Sequence, residues 1–287
     1  MNRNSIDITL ERTRNIFRCF SKLETATENM KVVMAYLENT HPEFRPAAYE
    51  AVAMSLALKD LQKSNEPLRW KAFMEGPGIH YSQPVHSGLG YAIGKAGLPV
   101  KSLLHVEHLM RPRVLSGYGY YDGMVRASSS VKNKKIPSAL DKQTSVWYDQ
   151  GLGTSLWVIA GGNISKIHGQ ICTFNGPRKP ALWKGVGYAS SFMGGCDEHM
   201  LNQLLSAAGE HSRYLATGAA MAARTRVLSG TVTRDLELAC RLWWNLSAQE
   251  LSKLSEALLP VSTAEGIYDE WHEALSRKFM QQDLVGQ

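Results

Sequence analysis

Two carboxylic acids stand among aromatic residues in this 287-residue chain. Asp149 follows Trp147 and Tyr148, and Asp122 follows Tyr118, Tyr120 and Tyr121. A carboxyl group held among apolar rings has its charged form desolvated, so its pKa rises and it can stay protonated until it donates. That is the equipment for protonating an unsaturated hydrocarbon chain, and the aromatic faces would stabilise the cation that develops. Asp149 and Asp122 are therefore candidate catalytic acids, and Tyr120, Tyr121, Trp147, Tyr148, Trp157, Trp183 and Tyr188 candidate contacts to a hydrophobic small-molecule substrate. His80, which follows the turn Glu75–Gly78, is a third candidate for acid–base work. A structural reading competes with these. In it Asp149 caps a helix opening at Gly151 and the aromatics are core.

Other chemistries lack their residues. There is no GxxxxGK[ST] phosphate loop, no GxGxxG with a downstream acid, no GxSxG elbow, no HExxH and no DDxxD. His105 and His108 share a helical face without a third ligand, and Cys19, Cys172, Cys196 and Cys240 lie far apart. Neither a metal nor a cofactor is expected. The net charge is +6, part of it in the run Lys132–Lys135, which reads as a solvated loop; no nucleic-acid motif accompanies it. Arg224 and Arg226 read as cations at a helix C-terminus. No apolar run reaches the roughly 20 residues of a membrane span, and the N-terminus carries charge throughout. A cytoplasmic protein without stable membrane insertion is expected.

The elements that must position these residues come from a repeat. Gly88, Gly117, Gly151, Gly185 and Gly218 each follow an apolar or aromatic residue by two or three places, and each precedes a Gly or Ala by two. Their spacings are 29, 34, 34 and 33 residues. A sixth copy opens the series, because PAAYEAVAMSLAL (46–58) matches PALWKGVGYASSF (180–192), with Ala51 and Ala53 in place of the glycines. A period in the low thirties suits two short helices and their turns. Glycine costs a helix about 1 kcal/mol against alanine, so two per unit imply close helix packing at a turn. The chain thus reads as mainly α: five or six two-helix units with a Gly-x-Gly anchor, in one compact domain. Residues 1–40 form an N-terminal helical cap, 41–230 the repeats and 231–287 a C-terminal helical cap. Ser247–Glu250 is a capping box, and a last amphipathic helix opening at Thr263 places Ile267, Trp271, Leu275 and Phe279 on one side. A minor β element is expected within 162–174, where apolar residues alternate weakly.

The units YDQGLGTSLWVIAGG, ALWKGVGYASSFMGG, GYGYYDG and AAYEAVAMSLALKDL resemble the DUF1702 family over roughly residues 42–245, most specifically at Asp149–Trp157. The resemblance implies a place in natural-product biosynthesis, near a polyketide or polyene chain. It carries no catalytic residues with it.

Two functions follow as expectations. One is an enzyme of secondary metabolism acting on an apolar, polyunsaturated chain (polyketide, polyene or isoprenoid-like) by cofactor-free, acid-catalysed isomerisation or cyclisation. The other is a non-catalytic helical scaffold that binds an acyl chain, a carrier protein or a partner biosynthetic enzyme.

Overall fold

The computed structural model describes residues 5–27, 29–63, 66–98, 106–261 and 266–283. Among them are fourteen α-helices and no strand. Six carry the repeat: α3 (Arg45–Leu61), α5 (Ser82–Ala96), α6 (Arg111–Val125), α7 (Lys142–Ile159), α9 (Lys179–Met193) and α11 (Ser212–Leu228). Each packs on the next in chain order. Neighbours run parallel: Arg113 at the start of α6 reaches the Gln83 carbonyl at the start of α5, and Arg126 just past the end of α6 donates to the Gly94 carbonyl near the end of α5.

The glycine pair lies in the middle of each helix rather than at a turn. Helical residues two positions apart point about 200° from each other, so the two glycines face opposite neighbours. A Cβ on Gly117, Gly151, Gly185 or Gly218 would fall 1.7–2.2 Å from a carbonyl oxygen of the preceding helix, that of Ser116 for Gly151. One on Gly90, Gly119, Gly153 or Gly187 would meet a carbonyl of the following helix at 1.7–2.0 Å. The partner residues keep register. The first glycine meets the residue one before the neighbour's anchor (Glu50, Ser87, Ser116, Gln150, Lys184), and the second meets the residue three before it (Val114, Tyr148, Leu182, Leu215). Backbones this close exchange Cα–H···O contacts along the row.

The return segments are less regular than two-helix units imply. They are helical as α4 (Leu68–Glu75), α8 (Ile164–Cys172) and α10 (Glu198–Ala208), but between α6 and α7 there is only a π-helical turn, Ser128–Lys132. Helix α8 replaces the expected β element. Ile167 and Ile171, four apart, are its buried face, and Asn163 caps it. The row curls until its ends touch: Arg226 in the last turn of α11 donates to the carbonyl of Glu43, just before α3, and to that of Phe192 in α9.

The terminal helices close the curl. Helix α1 (Ser5–Ala26) lies against α3 and α9, and α2 is Met30–Asn39. Thr233 caps α12 (Arg234–Trp244), and the Ser247–Glu250 capping box opens α13 (Ala248–Ala257). Helix α14 (Ile267–Asp283) buries Ile267, Trp271, Leu275 and Phe279 together. Thr263 lies outside the described residues.

Gly151→Ala should destabilise the protein by about 3 kcal/mol or more, the upper end of overpacking, because the obstacle is backbone. Gly169→Ala is the control, since nothing lies within 4 Å of its Cβ position in exposed helix. It should instead add about 0.5–1 kcal/mol. Thermal unfolding of both variants checks this, and equal effects would show the anchor glycines to be incidental.

Candidate functional site

Counted from the anchor, positions −4, −1, +3 and +7 of a helix fall on one face, and in the curled row that face points inward. Five central helices and α1 line a partly open cavity of about 320 Å³ there. Its wall is largely apolar or aromatic: Phe17, Met54, Tyr91, Tyr120, Met124, Val158, Tyr188 and Phe192 contribute. The volume is at the lower end of the roughly 300–1,000 Å³ usual for small-molecule sites.

Polar groups interrupt that wall: Arg14 and Arg18 of α1, Lys95 of α5 and Arg113 of α6 bring cations to it, and Glu50 is the one carboxylate among its lining residues. Glu50 (position −1 of α3) accepts a hydrogen bond from Ser87 Oγ (the same position of α5) at 2.7 Å. Burial pushes its carboxyl above the usual carboxylate range, and the Ser87 hydrogen bond and the charge of Arg113 only partly oppose that. Arg113, position −4 of α6, is buried. It donates from Nη2 to Tyr188 Oη at 2.6 Å, with its guanidinium carbon 4.2 Å from the Tyr188 ring centroid. The phenols of Tyr91, Tyr120 and Tyr188 are all raised by burial, Tyr91 to about 12, so all three are neutral donors at physiological pH.

The same inward face continues beneath α14, where protein fills it. Position −1 of α7, α9 and α11 is Gln150, Lys184 and Thr217. Tyr268 Oη donates to Gln150 Oε1 (2.9 Å), Lys184 Nζ donates to His272 Nδ1 (3.0 Å), and Ser276 Oγ bonds Thr217 Oγ1 (2.9 Å). Burial lowers Lys184 to about 8 and holds His272 neutral, which lets the imidazole accept. One turn of α14 therefore serves each of these three helices. Four helical residues advance about 6 Å, in step with helices that glycine lets approach closer than the usual 8–10 Å or so.

Of the residues singled out in the sequence, Tyr120 and Tyr188 line the cavity. The acids do not. Asp149 is bound by Arg178 through two hydrogen bonds, one of them Nε to Oδ2 at 2.7 Å, and Arg178 also donates to the Lys134 carbonyl. Asp122 accepts from Tyr148 Oη (2.9 Å) and Arg126 (3.1 Å). Burial raises both carboxyls and their partners pull them back, Arg178 in one case, Tyr148 and Arg126 in the other. Both acids sit on the outward side of their helices, where they tie down the loops between central helices. Nor does Asp149 cap a helix: α7 opens at Lys142, capped by Asp141.

Trp183 faces His168 of α8, Trp157 is buried against Gly162 near the start of α1, and Trp147 donates to Asp269 of α14. Tyr121 packs edge-on to Tyr91 under Arg126. His80 is exposed in the short 3₁₀ turn before α5. His105 lies outside the described residues. Arg224 pairs with Glu256, while Arg226 donates to carbonyls of other segments rather than its own helix end. The residues missed were Glu50, Ser87, Arg113 and Ser116. All four stand at −1 or −4 of a unit, so alignment on the anchors would have put them on one face.

A curled row of glycine-locked parallel helices around a largely apolar cavity with one desolvated acid defines an all-α protein with an internal cavity. The chain belongs to the family described as Protein of unknown function (DUF1702), whose model matches residues 2–279, nearly its whole length. No curated protein and no solved structure matches it. Among the described residues no helix is long and apolar enough to cross a membrane, and no group of three or more His, Cys, Asp or Glu is placed to hold a metal.

Two stability predictions follow from the charges. Asp149→Asn should cost about 3–5 kcal/mol, because it strands a buried guanidinium, and the double variant Asp149→Leu/Arg178→Met should recover most of that loss in denaturant titration. Glu50 has the opposite sign. Its folded-state pKa lies above its unfolded one, so its contribution is fully present below the unfolded value, near 4.3, and is lost as pH rises through the folded one. Glu50→Gln should therefore raise the melting temperature at pH 7, with the gain vanishing near pH 4. A gain independent of pH would mean that Glu50 is not desolvated.

Proposed function

We propose that the protein is an enzyme that protonates an apolar, polyunsaturated chain bound beneath α1, with Glu50 as the acid. The observation that carries this reading is a single desolvated carboxyl in a cavity walled mainly by apolar and aromatic side chains. A protonated Glu50 gives its proton to one carbon of a double bond, leaving a carboxylate and a carbocation. Loss of a different proton to that carboxylate shifts the double bond and regenerates the acid. Attack by a second double bond before that loss closes a ring instead. The faces of Tyr91, Tyr120, Tyr188, Phe17 and Phe192 stabilise the cation, and Ser87 holds the carboxyl in place throughout. Proton transfer of this kind needs no cofactor.

A second reading, a non-catalytic binder of an acyl chain, is favoured by one observation: the Ser87 hydrogen bond is also an ordinary way to satisfy a partly buried acid. The two separate in heavy water. Linear conjugated polyenes incubated with the protein should take up deuterium at carbon and change their absorption spectrum. The rate should fall as pH rises through the raised Glu50 pKa, because the acid form is required. Glu50→Gln should lower it by at least about 100-fold, the scale of general acid catalysis. Binding without exchange in the wild-type protein would establish the binder, and exchange unchanged in Glu50→Gln would remove the acid from this residue.

A further inference from the structure

The mechanism leaves Arg113 unused, and its position is costly. The residue is 7 % exposed and lines the cavity, where Arg14, Arg18 and Lys95 are exposed cations and Arg113 is the buried one; it meets no carboxylate within ion-pair distance among the described residues. Arg178, by contrast, has Asp149, and Arg226, which also lacks an acid, is held by four hydrogen bonds to the carbonyls of Phe192, Thr231 and Glu43. The nearest candidate is Glu50, whose carboxyl is instead spoken for by Ser87. Arg113 holds only a phenol and, at 3.4 Å, the Gln83 carbonyl. A buried guanidinium without a counter-charge is expensive. Here it also opposes the chemistry twice, since it draws Glu50 toward its ionised form and repels a cation on a bound chain.

We propose that Arg113 is the receptor for a carboxylate at the end of the bound chain, so that the substrate is an unsaturated carboxylic acid. This deepens the reading above and rests on the same cavity. The surroundings fit. Arg113 lies in the first turn of α6, where helix amides favour an anion, and Ser116 and the Tyr188 phenol stand beside it in the wall. A guanidinium fork suits a planar carboxylate. With the acid end there, the hydrocarbon runs along the wall past Glu50 and Tyr120 toward Met124, Val158 and Phe192, which stand a helical turn or more further along the same faces. The carboxylate neutralises Arg113, so Glu50 stays protonated and the chain can carry positive charge.

The test is direct binding, read by calorimetry, of linear unsaturated fatty acids of about eight to eighteen carbons against their methyl esters. The acid should bind about tenfold tighter or more, what one charge-assisted hydrogen bond is worth. Arg113→Gln should reduce the acid to the affinity of its ester and leave the ester unchanged. Tyr188→Phe, which keeps the guanidinium, should preserve the preference for the acid. The wild-type comparison stands even if Arg113→Gln does not fold. Acid and ester binding equally well would overturn the role of Arg113 while leaving the apolar site in place. Failure of every chain to bind would overturn both this assignment and the cavity's function.

Discussion

Everything in this fold depends on backbone meeting backbone at the glycine pairs. A Cβ at Gly90 or Gly151 would lie 1.7 Å from a neighbouring carbonyl, so the helices can sit this close only where side chains are absent. Because each glycine seats against a fixed position of its neighbour, it sets register as well as distance. Equivalent residues of successive helices then occupy equivalent places, and four of those places make the inward face. At the end of the row, where no seventh helix follows, the second position is Ala220 rather than glycine, and α11 packs instead on α13 and α14.

That register sorts charge. Outward, the acids are compensated: Asp149 has Arg178, Asp122 has Arg126 and Tyr148, and both pairs hold loops to helices. Inward, Glu50 and Arg113 share the cavity wall without pairing. Structural acids end with their lone pairs committed to cations, which keeps them from donating. An acid that must donate needs desolvation without such a partner. Aromatic neighbours alone do not separate the two cases, which is why Asp149, beside Trp147 and Tyr148, looked like the better acid.

The repeat itself was legible in the sequence, down to the sixth copy with alanines, because a period near 33 and small residues at fixed offsets survive in one dimension. So were the Ser247–Glu250 capping box and the buried stripe of α14, which depend on neighbours three or four residues away, whereas the Asp141–Thr144 capping box of α7 was not. The site was not. Ser87 and Arg113 lie 37 and 63 residues after Glu50 and share one wall with it only because the row curls, and curl is a sum of crossing angles that no single unit specifies. Nor did period or propensity place Gly-x-Gly correctly: glycine in a helical pattern suggested a turn, whereas here its cost of about 1 kcal/mol is offset by the packing it permits. The β expectation at 162–174 failed for a related reason. Ile167 and Ile171 are spaced for one helical face, and helical spacing outweighed weak alternation.

The inward polar stripe finally separates core from site. Position −1 is polar in all six helices: Glu50, Ser87, Ser116, Gln150, Lys184 and Thr217. Buried polar groups need partners, and the last three receive theirs from Tyr268, His272 and Ser276 of α14, one per turn. The covering helix at the other end, α1, brings Leu10, Thr13, Arg14, Phe17, Arg18 and Ser21 to the wall, and Arg14 reaches the Val158 carbonyl rather than a position −1 side chain. Glu50 and Ser87 satisfy each other, and Arg113 is left with a phenol. One half of a single repeating surface is thus completed by the chain and the other half is left polar, roomy and unfinished. That asymmetry, rather than any one residue, is what marks the space under α1 as a place for a ligand.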